Sequence, residues 1–225
     1  MDFLDEKIEE YVNQHSSPEP ELLARLNRET HLKILQPRML SGHLQGRVLS
    51  MLMKMIRPQR ILEIGTYTGY SALCMAEGLA QAGELHSIDI NEELTDFVQK
   101  YVNEAGHQDE IKLHVGNALE IIPLLKEDWD VVFIDADKNN YINYYNLLID
   151  KLKSGSYIIA DNVLWSGKVI EDYNQQDEDT KTLIDFNKMI QEDERVENVL
   201  FPIRDGLMVV RKKWTIIIFF KKLKN

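Results

Sequence analysis

Two short stretches carry most of the reactive chemistry in this chain, Asp135-Ala136-Asp137-Lys138 and Asp161-Asn162. Each follows a short apolar run, Val131–Ile134 and Ser156–Ala160. If those runs are neighbouring parallel strands, Asp135, Asp161 and Asn162 meet at one mouth of the sheet and offer three oxygen ligands. An all-oxygen set suits a hard cation such as magnesium, calcium or manganese, not zinc. The six histidines are scattered, and no His or Cys cluster competes. An acidic residue after a buried strand is common, so either aspartate alone says little. Two strand ends carrying Asp and Asp-Asn, with Lys138 one turn beyond Asp135, say more.

A second group lies nearer the N-terminus, in Glu63-Ile64-Gly65-Thr66-Tyr67-Thr68-Gly69-Tyr70-Ser71. A glycine just after a strand permits a tight turn and a close backbone approach to a ligand. Gly69 and Ser71 then fall at the mouth of the next helix. Asp89 ends the following strand about twenty residues on, where an acid can take both hydroxyls of a ribose. The glycines read G-x-x-x-G and not the G-x-G-x-x-G of a dinucleotide fold. A plainer reading stays open at this point: the glycines serve helix–sheet packing, and Asp89 is a helix N-terminal acid.

These residues must be positioned by an alternating framework. The expected strands are Arg60–Ile64, Glu84–Asp89, Ile111–Val115, Val131–Ile134 and Ser156–Ala160. Helical stretches follow the first four, near Tyr70–Ala80, Glu92–Ala105, Ala118–Leu125 and Tyr141–Leu152. Strand and helix alternating at this spacing imply right-handed crossovers and a parallel sheet. Thr180–Gln191 reads as a further helix. Val196–Phe201 and Gly206–Val210 are close enough to pair as an antiparallel hairpin. The acidic stretch Glu171–Asp179 reads as a solvated loop.

Upstream, residues 1–58 read as helices packed on the core. Phe3, Leu4, Ile8, Tyr11 and Val12 recur at helical spacing. Pro18 and Pro20 suit a new helix start, carrying Leu22, Leu23 and Leu26, and Pro37 ends that segment. Ser41 is expected to cap a third helix through Leu44, Val48, Leu49, Leu52 and Ile56.

The bulk numbers fit a single enzyme-sized domain. The chain has 225 residues and a formal charge of −11, which argues against a nucleic-acid surface, since phosphate binding needs clustered Lys and Arg. The one cysteine, Cys74, permits no internal disulfide and fits a reducing compartment. The N-terminus lacks the basic and apolar regions of a secretory signal, and no apolar run approaches the ~20 residues needed to span a bilayer. The expected location is cytoplasmic.

Four segments together resemble the signature stretches of metal-dependent small-molecule O-methyltransferases, closest to the caffeoyl-CoA type with its bacterial members and related to the catechol enzymes. They are Glu63–Ser71, Phe133-Ile-Asp-Ala-Asp-Lys, Ala160-Asp-Asn-Val-Leu-Trp-Ser-Gly and Pro202-Ile-Arg-Asp-Gly-Leu. The similarity runs from about Leu22 to Lys213. It implies a Rossmann-like class I methyltransferase fold: an α/β domain over 59–213, helices on both faces of a seven-stranded, mostly parallel sheet, the last strand antiparallel. It implies S-adenosylmethionine as methyl donor, a divalent cation with magnesium favoured, a small phenolic or catechol-type acceptor, and a homodimer.

By matched position, Asp135, Asp161 and Asn162 would hold the metal. Glu63 and Asp89 would bind the cofactor, Gly65 and Ser71 would lie along its methionine side, and Ala118 near the adenine. Met39 and Ser41 match positions lining the cofactor and metal region, which Asp135 shares. Asp137 would contact the cofactor amine, and Trp165 matches an aromatic near the acceptor. Lys138 becomes the candidate base, because a desolvated lysine beside a dication gives up its proton more readily. The alternatives are a solvated lysine paired with Asp137 or Asp135, and ordinary loop packing for Trp165.

Residues 214–225 depart from the family pattern, which ends near Arg211-Lys212-Lys213. Their apolar core, Ile216–Phe220, is expected to pack on the protein itself or on a dimer mate. Three other classes stay open here: a nicotinamide oxidoreductase, a nucleic-acid methyltransferase, and a non-catalytic cofactor-binding module.

Overall fold

The computed structural model describes residues 5–214. Phe3, Leu4 and the apolar stretch Ile216–Phe220 lie outside the described residues. Seven strands form one sheet: β1 (Arg60–Ile64), β2 (Glu84–Asp89), β3 (Ile111–Val115), β4 (Val131–Ile134), β5 (Tyr157–Ala160), β6 (Val196–Phe201) and β7 (Leu207–Lys212). Their order is β3-β2-β1-β4-β5-β7-β6. The first five pair in parallel, and β7 runs antiparallel to both β5 and β6. The expected doubly covered, mostly parallel sheet with an antiparallel last strand is therefore present.

Among the described residues eight α-helices accompany it: α1 (Glu6–Gln14), α2 (Glu21–Lys33), α3 (Gly42–Ile56), α4 (Tyr70–Ala76), α5 (Thr95–Ala105), α6 (Ala118–Ile121), α7 (Tyr141–Leu148) and α8 (Glu178–Glu192). Strand side chains alternate between faces. On one face Ile61, Leu85, Val131, Phe133 and Ile159 pack against α2, α3, α4 and α5 through Leu26, Leu49, Met53, Tyr70, Val98 and Tyr101. On the other, Leu62, Ile64, Ile88, Val132, Ile134 and Ile158 pack against α6, α7 and α8 through Ala118, Tyr145, Leu148, Leu183 and Phe186. Burial on both faces explains why these strands read as short continuous apolar runs.

Several expectations are corrected. Ser41 does not cap α3 through its side chain, because its backbone is already helical (φ −56°, ψ −37°) and a capping side chain needs an extended residue. The acidic stretch 171–179 is not all loop: Tyr173–Gln175 forms a 3-10 turn, and Asp177 caps α8 by accepting from the Thr180 amide at 2.8 Å. α4 ends at Ala76, short of the expected Ala80. Ile8 and Tyr11 on α1 are exposed, so that helix forms without burying these members of its apolar stripe.

The register positions the site. Ile64 pairs with Ile88 and Ile134, and Ile134 with Ala160. The next residue of each strand therefore stands in one row: Asp89, Gly65, Asp135 and Asp161. Backbone hydrogen bonds carry the row past the strand ends, from Gly65 N to Ile88 O, Asp135 N to Ile64 O and Asp161 N to Ile134 O, each 2.9 Å.

Candidate active site

β1 and the turn after it build one half of the site. Gly65 has φ +101°, and a Cβ there would lie 2.0 Å from the Asp135 carbonyl oxygen. Only glycine lets the β1 turn cross so close to the end of β4. Gly69, φ +80°, begins α4, and a Cβ on it would meet Val98 Cγ1 at 2.8 Å. These glycines meet both demands at once, a left-handed turn and tight packing.

Glu63 lies beneath that turn with 0 % exposure. Ser71 Oγ donates to its Oε1 at 2.6 Å, and the Ser87 hydroxyl donates to its Oε2. Burial pushes its carboxyl up to about 8; the two hydroxyls work against that shift, and the charges of Asp135 and Asp89 add to it. Asp89 accepts from the Tyr67 amide at 2.7 Å and the Asn91 amide at 2.8 Å. A groove beside it is lined by Thr66, Tyr67, Leu94, Val98 and Val115. Ala118 is buried at the start of α6, against the core that includes Ile88. Met39, in the 3-10 turn Pro37–Met39, is exposed, and Ser41 is buried just beyond it.

β4 and β5 build the other half. Lys138 is 8 % exposed. Its Nζ donates to Tyr141 Oη at 2.7 Å, Asn162 Oδ1 at 2.8 Å and Asp135 Oδ1 at 3.2 Å. It is thus buried and tied to the strand ends, neither solvated nor paired with Asp137. Asp137 is exposed and accepts from Tyr144 Oη at 2.6 Å and from Asn140. Asp161 is 3 % exposed. Burial, reinforced by the charge of Asp135, raises its carboxyl to about 7. Asn162 adopts φ +59°, a left-handed conformation that asparagine tolerates better than most residues.

Trp165 and Ser166 are also left-handed, φ +47° and +54°. Strain of this kind is held in place by the surrounding structure and gathers at ligand clamps. Here the Trp165 ring lies 5.7 Å from Lys138 Nζ and packs against the core.

The two halves share one sheet edge. The β1–β2 half offers a buried acid, two serine hydroxyls, a strand-end carboxylate and an apolar groove, which is equipment for a nucleoside. The β4–β5 half offers the Asp135 carboxylate and the Asn162 amide oxygen on the buried Lys138 Nζ, with the buried Asp161 carboxylate at the neighbouring strand end. Among the described residues, no group of three or more His, Cys, Asp or Glu side chains is placed to hold a metal ion. A cation at this edge would therefore draw on Asp135, Asp161 and the Asn162 amide oxygen, a hard-ion set. A cation near the two carboxylates would relieve the Asp135 repulsion that adds to burial in raising Asp161.

Tyr141, Ser87 and Gln45 belong to this site and went unread in the sequence, and Arg204 stands in the Pro202–Leu207 signature stretch, where the sequence assigns it no role. Tyr141 follows Lys138 by three residues, a helical spacing that brings the two together. Ser87 lies two residues before Asp89 on the strand whose end was recognised. Gln45 lies on α3, 116 residues from the Asp161 it touches, and nothing local marks it.

A family model described as O-methyltransferase matches residues 13–213. Caffeoyl-CoA O-methyltransferase 5 of Nicotiana tabacum is 34 % identical over 207 residues, 86 % of this chain and 85 % of that protein. The caffeoyl-CoA O-methyltransferase of Petroselinum crispum is 36 % identical over the same length and shares. In structure, the SAH-bound methyltransferase of Podospora anserina superposes with TM-score 0.85 at 26 % identity, covering 93 % of this chain and 95 % of that one. The O-methyltransferase of Bacillus cereus in complex with SAH gives 0.82 at 27 %, covering 92 % and 97 %. These likenesses span both halves of the site and remove the nicotinamide and nucleic-acid alternatives. The chain belongs to the O-methyltransferase family and is a class I S-adenosylmethionine-dependent O-methyltransferase of the caffeoyl-CoA type.

Proposed function

We propose that this enzyme methylates one hydroxyl of a small vicinal-diol, catechol-like acceptor, with a divalent cation held by Asp135, Asp161 and Asn162. The placement of those three oxygen groups at the ends of β4 and β5, two of them on Lys138 Nζ, supports this reading. S-adenosylmethionine brings an electrophilic methyl group on sulfonium sulfur. A hard dication, when bound, supplies charge that acidifies the hydroxyls of a chelating diol and favours their alignment.

The rest is done by side chains. Asp89 takes the ribose hydroxyls. Glu63 acts from below by holding Ser71 and Ser87, which stiffens the turn at Gly65 along the methionine side. Ala118 borders the adenine, and Met39 and Ser41 border the cofactor near the metal. Asp137 serves the cofactor amine. Lys138 receives the proton of the acceptor hydroxyl, with its Nζ aimed by Tyr141. A cation held by Asp135 and Asn162 would compete with Nζ for those side chains, while Tyr141 would still hold Nζ near the acceptor. Trp165 walls the acceptor pocket and excludes water beside Lys138. Two reactants held in line react as if unimolecular, so orientation supplies a large part of the rate.

The cytoplasm suits an enzyme whose one cysteine, Cys74, is buried and free, and no helix among the described residues is long and apolar enough to cross a membrane. A homodimer is the inferred assembly, and exposed Met51 and Met55 on α3 offer it apolar surface.

Asp161→Ala tests the cation site. It should abolish metal-dependent turnover while S-adenosylhomocysteine affinity, measured by calorimetry, stays near wild type. Full activity in that variant would refute the assignment.

A further inference from the structure

We infer that Gln45, oriented by Arg204, is a positioning residue for Asp161 and sets how tightly the site at the β4–β5 edge grips its cation. This rests on the proposed reading of Asp135, Asp161 and Asn162 as cation ligands. Gln45 is 1 % exposed on the first turn of α3. Its Nε2 donates to Asp161 Oδ2 at 2.5 Å, and Arg204 Nη1 faces its Oε1 at 3.5 Å. A guanidinium only donates, so the Gln45 Oε1 faces Arg204 and its Nε2 is left to face Asp161. Asp161 Oδ1 accepts from the Asn162 amide at 2.7 Å. Each carboxylate oxygen is thus fixed by one neutral N–H, which sets the carboxylate plane and leaves further lone pairs free for a ligand.

Arg204 gains its position from the turn between β6 and β7. Its Nη1 also donates to the Leu40 carbonyl at 3.0 Å, ahead of α3. The neighbouring turn residues hold the loop after β5. Leu164 N donates to Asp205 O at 2.9 Å, Val163 N to Gly206 O at 3.2 Å, and Ser166 N to Asp205 Oδ1 at 2.5 Å. One short turn therefore ties the start of α3 to the loop after Asp161 and Asn162 that carries Trp165. A residue that only filled space between α3 and β5 would not need its amide aligned between a donor and a carboxylate.

The test compares wild type with Gln45→Met, which keeps length and bulk but cannot donate, and with Arg204→Met. The cofactor-free protein is titrated with Mn2+ alone, read by electron paramagnetic resonance, and separately with S-adenosylhomocysteine by calorimetry. Outer partners of metal ligands typically change affinity ~10–100-fold. Gln45→Met should raise the Mn2+ Kd by about 10-fold or more, and Arg204→Met should raise it less, because it acts through Gln45. S-adenosylhomocysteine affinity should hold within about twofold in both. Wild-type Mn2+ affinity in Gln45→Met overturns the inference. So does parallel loss of Mn2+ and S-adenosylhomocysteine binding in both variants, which marks a purely structural role. Absence of Mn2+ binding by wild type itself would instead remove the cation reading, and this inference with it.

Discussion

Glu63 has no exposed surface, and two serine hydroxyls stand in for the water it has lost. Its carboxyl is raised from 4.5 to about 8, so the folded protein holds this proton more tightly than the unfolded chain does. The resulting cost is absent below about pH 4.5, grows as the pH rises and levels off above about 8. Denaturant unfolding of ligand-free protein at pH 6 and pH 9 should show wild type losing ~2–3 kcal/mol more than Glu63→Gln across that interval. Equal losses would mean that Glu63 is ionised at no cost. Lys138→Met should lower kcat by roughly 100-fold or more with cofactor affinity unchanged, the range expected when a general base is removed. Unaltered kcat would return Lys138 to the role of an ion-pair partner for Asp135. Asp89→Ala should weaken S-adenosylhomocysteine binding in calorimetry, and an unchanged Kd would refute the ribose contact.

At the scale of elements, the contact between α3 and α4 makes its own prediction. Arg47, Ser50 and Lys54 on α3 all donate to the carboxylate of Glu77, just past α4. Burial works to raise that carboxyl, but the hydrogen bonds from Arg47, Lys54 and Ser50 prevail and hold it at about 2. A depressed carboxyl stabilises the fold above about pH 4.5 and loses that contribution as the pH falls toward 2. Glu77→Gln should cost ~1–3 kcal/mol at pH 7, with the gap to wild type closing as acid is added; a gap independent of pH would deny the ion-pair origin. The strand ends were legible because burial on both faces and the following Gly or Asp punctuate each run, and β1 to β4 begin and end where the apolar runs do. Helix ends were less legible. At α4 the chain must leave the helix where Gly78 meets the α3 backbone, a Cβ there lying 2.4 Å from Lys54 N, and composition near Ala80 does not signal that contact. Asp135, Asp161 and Lys138 could be read because strand ends announce them. Gln45 could not, because its partner Asp161 is more than a hundred residues away, and Arg204, though inside the Pro202–Leu207 stretch, shows no role until Leu40 and Gln45 are brought to it.

Across the whole molecule, the charge of −11 sets which acceptors approach easily. Repulsion of an anionic thioester is screened by salt over about 10 Å at 0.1 M. The KM for such a thioester should therefore fall as ionic strength rises, while that for a neutral catechol stays level; matching responses would point to a local basic patch at the pocket mouth. The central claim is that a single sheet edge joins a methyl donor on the β1–β2 side to a metal-held diol on the β4–β5 side. Methyl transfer from labelled S-adenosylmethionine to caffeic acid, a free catechol and a mono-phenol, each with magnesium and with chelator, tests it most directly. Transfer confined to the vicinal diols and abolished by chelator is the expected result. Equal transfer with chelator present, or to the mono-phenol, would contradict the account.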